Sequence, residues 1–133
     1  MNVLVASMKG ILIVAGLLTM SMIKVAVAPV PALQGLFGPT IANFGGPIVD
    51  VVARGWGALI ALVGGMLLYA AFHVPSRPLV LTVAGLSKTF FVVSMLVYAK
   101  GHLAGEALVA AVFDSILVVL FAAYLLASRR IAR

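Results

Sequence analysis

Apolar residues in this chain gather in four long runs, separated by prolines, glycines and charges. A helix needs about 20 mostly apolar residues to cross a hydrocarbon core of about 30 Å. The first run, about 3–28, carries Lys9 and Lys24 near its two ends. The second, about 51–72, is uncharged from Gly55 to Phe72. The third, about 79–99, contains Lys88, and the fourth, about 103–127, contains Asp114. In lipid each run has to satisfy its own backbone groups, so all four are predicted to be helices. Pro29 and Pro31 stop the first. The sequence Pro75-Ser76-Arg77-Pro78 separates the second from the third, with Pro78 placed to open a helix. Lys100-Gly101-His102 separates the third from the fourth. These short connections make the last three spans sequential antiparallel neighbours. The predicted fold is all-α: a single transmembrane domain, 1–133, forming an integral membrane four-helix bundle.

The stretch from Pro29 to Gly46 breaks this pattern. It combines Pro29, Pro31 and Pro39 with Gly35, Gly38, Gly45 and Gly46, yet keeps Leu33, Leu36, Phe37, Ile41 and Phe44. It reads as a Pro/Gly-rich apolar loop that lies on the membrane surface or caps the bundle. Pro47 then starts the second helix, with Asp50 and Arg54 in its first turns. A signal peptide is the rival reading of the first run, because Ala26-Val27-Ala28 has the small-x-small form of a cleavage site. Pro29 directly after it argues against cleavage.

Composition removes most other classes. Hydrophobic residues make up 65% of the 133 and charged residues only 9%; the mean hydropathy is +1.29. A small chain has too much surface to hide that much apolar material from water. A soluble monomer and a disordered chain are excluded, and with no cysteine so are a disulfide scaffold and a zinc module. The net charge of +6 does not indicate nucleic acid. The basic residues are scattered, with one short cluster at Arg129, Arg130 and Arg133, and no basic stripe is interleaved with aromatics. In a membrane chain the excess reports topology. The arginine-rich C-terminus is then cytoplasmic in a bacterial inner membrane. Four spans put the N-terminus with Lys9, and the Arg77 turn, on the same side. Trp56 and Tyr98 fall near the outer boundary and Tyr69 and Tyr124 near the inner one, as in an interfacial aromatic belt. No internal repeat supports an inverted-repeat transporter.

Two charges sit where lipid makes them costly, at least about 2.5–3.5 kcal/mol each on insertion scales. Counting from Gly101, Lys88 lies 13 residues back and Asp114 lies 13 residues forward. At about 1.5 Å per residue both are about 20 Å down antiparallel helices. A Lys88–Asp114 salt bridge inside the bundle is expected, supported by the hydroxyls of Ser87, Thr89 and Ser115. Small residues one turn away mark close helix contact: Ala84 and Gly85 beside Lys88, Ala110 and Ala111 beside Asp114, and Gly57, Ala58, Ala61 and Gly65 beyond Arg54. The pair either binds a small ligand, relays protons or recognises a head group, or it fixes helix register without chemistry. Arg54, Asp50 and Lys24 form a second, outer polar group, with Arg54 and Asp50 spaced as an i, i+4 pair. It is either an interfacial anchor or an outer-leaflet site for an anionic head group or substrate carboxylate, roofed by the long loop.

No catalytic set and no metal site emerges. His73 and His102 lie at opposite faces, and there is no nucleotide loop and no Ser-His-Asp constellation. Met8, Met20, Met22, Met66 and Met95 read as packing residues rather than copper ligands.

The sequence Arg54-Gly55-Trp56-Gly57-Ala58-Leu59, continuing through Gly64-Gly65-Met66-Leu67-Leu68, resembles the opening of the second span in the DoxX-like family of small bacterial membrane proteins. The Arg77-Pro78 turn, a basic residue in the third span and an acidic one in the fourth extend the likeness from about Met8 to Ser128. Members of that family more often carry Arg where Lys88 stands. The resemblance implies a four-helix membrane bundle. It implies little about activity: some DoxX-like proteins are associated with quinone-linked sulfur oxidation or oxidative-stress complexes and many have no known function, and a redox role for this chain, without cysteine, would have to be that of a quinone-binding or anchoring subunit.

The leading functional expectation is a non-enzymatic inner-membrane protein. It would bind or carry a small hydrophobic ligand, lipid or quinone-like, or serve as an accessory subunit, with Lys88 and Asp114 as its working part. No cofactor beyond such a quinone or lipid is implied, and the bilayer is the one partner the composition demands. Two other classes stay open: a structural subunit of a larger membrane complex, and a homo-oligomeric channel or transporter. An isomerase would need Asp114, the only deep carboxylate, as its base.

Overall fold

The computed structural model describes residues 2–38, 46–99, 101 and 105–132, and among them no strand occurs. The helices are α1 (Asn2–Met20), α2 (Ile23–Val27), α3 (Pro29–Phe37), α4 (Gly46–Phe72), α5 (Arg77–Tyr98) and α6 (Gly105–Ala132), with a 3-10 turn at Val74–Ser76. Lys100, His102, Arg133 and, from the first loop, Pro39, Ile41, Phe44 and Gly45 lie outside the described residues. Four segments are long and apolar enough to cross a membrane: Val3–Val27, Gly46–Phe72, Val74–Tyr98 and Gly105–Arg130. The chain is thus an all-α bundle with the makings of a multi-pass membrane protein. The spans form a ring in which α1 packs along α4, α4 on α5, α5 on α6 and α6 back on α1.

Each span turns one helical stripe inward. On α1 the buried residues are Met8, Leu12, Ala15, Gly16 and Thr19, and on α5 they include Arg77, Leu81, Ala84, Lys88 and Met95. That spacing of three and four is the period of a helix face. Large residues such as Leu59, Leu62, Leu86, Phe90 and Val119 stay exposed on the opposite faces, as expected where the surroundings are lipid rather than water.

The first span is not one straight helix. Between α1 and α2 the chain tightens through i→i+3 bonds, Met22 N–H to the Thr19 carbonyl at 3.2 Å and Val25 N–H to the Met22 carbonyl at 3.0 Å. Ser21 donates its hydroxyl to the Leu18 carbonyl, a back-bond that bends helices. Glycines let the bent span lie against α4. A Cβ on Gly16 would lie 2.9 Å from the Gly64 carbonyl oxygen, and one on Gly57 would lie 2.8 Å from the Ala26 nitrogen. Gly64 itself faces the backbone of Met20 and Gly16. Gly57 is a contact glycine as the small-residue pattern implied. Gly65 and Gly85 are not, since nothing approaches their missing Cβ.

Part of the predicted loop is helical. Pro29 occupies the first turn of α3, where a missing N–H costs nothing, and the Ala32 N–H bonds the Ala28 carbonyl at 3.2 Å. Pro29 and Pro31 therefore end one helix and open another. Gly38, at φ +99°, terminates α3. α3 packs on α2, α4 and α6, which makes it a cap over one end of the bundle.

Two apolar clusters result. One joins Met8, Leu12, Leu67, Leu81, Phe121 and Tyr124 with their neighbours from all four spans. The other joins Val25, Leu33, Leu36 and Ala53 under α3, with Trp56 packed against it. The Lys88 level lies between them.

Candidate functional site

Lys88 comes from the inward stripe of α5 and is 7% exposed. Its ammonium donates to Asp114 Oδ1 on α6 at 2.8 Å. The pair reasoned from equal depth is therefore formed, with the Asp114 side chain 17% exposed. The ammonium also donates to Thr19 Oγ1 on α1 at 3.3 Å. Three spans meet at one nitrogen.

The supporting hydroxyl is Thr19, not those expected. Thr89 donates to the Gly85 carbonyl at 2.7 Å and Ser115 to the Ala111 carbonyl at 2.8 Å, both on their own helices. Back-bonding to the preceding turn is the local option open to Ser and Thr in any helix, and it keeps these two away from the pair. Ser87 lines the space beside Lys88 without bonding it. Thr19 falls on the same buried stripe of α1 as Met8, Leu12 and Ala15, a stripe that a uniformly apolar run does not mark.

Beside the pair is a half-open cavity of about 640 Å³ between the spans and the α3 cap. Its walls are mainly apolar, with Leu18, Ile60, Val63, Phe91 and Phe113 among them. Thr19, Lys88 and Asp114 form one polar patch. Lys24 and Glu106 form another on the α3 side, 3.7 Å apart and about half exposed. The volume and the mix of apolar wall with few polar groups are those of a small-ligand site.

The outer group divides. Arg54 Nε donates to Asp50 Oδ2 at 2.9 Å, the expected i, i+4 pair. Its Nη1 reaches the Ala26 and Val27 carbonyls at 2.9 and 3.1 Å, where α2 ends. Lys24 does not join this pair. It turns to Glu106 on α6, a residue the charge reading left unassigned.

Arg77 also departs from its expected role. A turn arginine would serve as a solvated topology signal, but Arg77 is 6% exposed. Its Nε and Nη2 donate to the Ala70 and Ala71 carbonyls at 2.9 and 3.0 Å, and Nη1 to the Tyr124 hydroxyl at 3.4 Å. It caps the last turn of α4, whose carbonyls have no partners within the helix. Tyr124 is accordingly buried and is not a belt residue, whereas Tyr69 and Tyr98 are exposed near span ends.

Among the described residues no three His, Asp or Glu side chains gather as a metal would require. No family model, no curated protein and no solved structure matches this chain.

Proposed function

We infer that this chain binds a small amphiphilic molecule within the bundle and holds or carries it in the membrane, with no bond-making of its own. The observation that supports this reading is the placement of the Lys88–Asp114–Thr19 cluster on the wall of an apolar cavity. The cavity accepts an apolar body, and the cluster accepts a polar end. A lipid or a quinone-like molecule has that shape. We place the chain in a bacterial inner membrane with both termini cytoplasmic, from the arginines at its end. We also propose kinship with the DoxX-like proteins, on the Arg54–Leu59 opening and the Lys88 and Asp114 positions.

The test is extraction of the chain from membranes in mild detergent, followed by native mass spectrometry. One amphiphile per chain is expected. Ala110→Phe, which fills the cavity from α6, should purify folded and without it. A wild-type chain that carries no such molecule, or a filled variant that retains it undiminished, would overturn the reading.

A further inference from the structure

Among the described residues that line the cavity, the charges sum to zero. Lys24 and Lys88 face it, and so do Glu106 and Asp114, each acid paired with one base. Within the deep pair the two charges cancel. Neither charge is left over to meet a charged ligand. A carboxylate or phosphate head brought to this level would add an uncompensated charge to an apolar space, which is costly.

The deep pair still has bonding capacity. An ammonium carries three N–H donors, and Lys88 has two acceptors for them among the described residues, Asp114 Oδ1 and Thr19 Oγ1. Of the two carboxylate oxygens of Asp114, only Oδ1 is bonded among the described residues. A donor and an acceptor thus stand side by side at the cavity wall. A carbonyl can use only the donor. A hydroxyl uses both, accepting from Lys88 and donating to Asp114 Oδ2.

We propose that the cavity selects an uncharged, hydroxyl-headed amphiphile, with its hydroxyl at Lys88 and Asp114 and its apolar body running toward Trp56 under the α3 cap. This rests on the ligand-binding reading above and names the class of ligand. An acylglycerol and a quinol share the required chemistry.

Trp56 is the sole tryptophan and lines the cavity, so its fluorescence reports occupancy. The wild-type chain in phosphatidylcholine nanodiscs is titrated with a fatty alcohol and a fatty acid of equal length, each brominated at the tail end. Saturable quenching by the alcohol is expected, with the acid at least about tenfold weaker, because a lone buried charge costs more than the 1.4 kcal/mol that a factor of ten represents. Asp114→Asn leaves Lys88 without its counter-charge and should reverse the order. Tail-brominated monoacylglycerol and hydroquinone, run alongside, distinguish a lipid source from a quinol source. An acid that binds the wild type as tightly as the alcohol overturns the proposal, and so does a wild-type chain that copurifies with a charged amphiphile. If neither probe binds and nothing copurifies, the ligand-binding reading itself falls.

Discussion

The two halves of the bundle bury the same kind of charge to nearly the same degree and use it differently. Arg77 is 6% exposed and Lys88 is 7% exposed. At the Arg77 end, the guanidinium is surrounded by the Ala70 and Ala71 carbonyls and the Tyr124 hydroxyl and ring, above a close-packed core of Leu67, Leu81 and Phe121. At the α3 end, the Lys88 ammonium has one carboxylate and one hydroxyl, and then open cavity. Burial alone therefore does not separate the two charges. What separates the two is whether bonding capacity faces protein or space.

Removing the closed charge should have the largest effect. Arg77→Leu keeps an apolar stem but strands the Ala70 and Ala71 carbonyls, and leaving a buried polar group unmade costs about 1–3 kcal/mol. A total of about 3 kcal/mol is expected in denaturant unfolding in detergent. Arg54→Leu removes a similar cap from α2, but Arg54 is about half exposed. Water and headgroups can replace it there, and the loss should be about 1 kcal/mol or less. Equal losses at the two arginines would break the contrast between a sealed and an open end.

The next effect tests what holds the bent first span in place. Gly64→Ala would press a Cβ into the Gly16 carbonyl oxygen 2.8 Å away and into the Met20 backbone. Backbone cannot step aside as a side-chain tip can, so a cost of about 1–3 kcal/mol is expected. Gly65→Ala, with nothing near its missing Cβ, should be close to neutral. Thermal unfolding of the two variants side by side checks this. A matching loss at Gly65 would mean the helices pack on a different face of α4.

The spans and the Lys88–Asp114 pair were legible in the sequence because both follow from local rules. An apolar run has to be a helix in lipid, and a short turn fixes the relative depth of the residues on either side of it. Thr19 was not legible in that way. A long segment separates its span from the rest, so no counting argument sets which neighbour it faces. The role of Arg77 was hidden because backbone carbonyls carry no residue signal, and a charge at a span end looks the same whether it caps a helix or faces water. α3 was hidden because proline signals the end of one helix and the start of the next with the same letter. The cavity is a gap between packed side chains from every span, and no single segment encodes it.

The sharpest test of the contrast, with only a small expected change in stability, comes from removing the open pair as a unit. A buried ion pair contributes little net stability, because desolvating both charges offsets most of their attraction. Lys88→Met with Asp114→Leu replaces both by apolar groups of similar length. The double variant should unfold within about 1 kcal/mol of the wild type, or later. Each single substitution should cost more than the double, since it leaves one charge without its partner. Thr19 would lose its bond from Lys88, but it can turn its hydroxyl back to its own helix as Thr89 and Ser115 do. Binding should behave in the opposite way: the double variant keeps the cavity and loses both groups that hold a hydroxyl. A stable bundle that no longer retains its amphiphile would locate function at the open end. A double variant as unstable as Arg77→Leu would instead make the pair a second structural clamp, and the two ends would then differ only in how tightly they are packed.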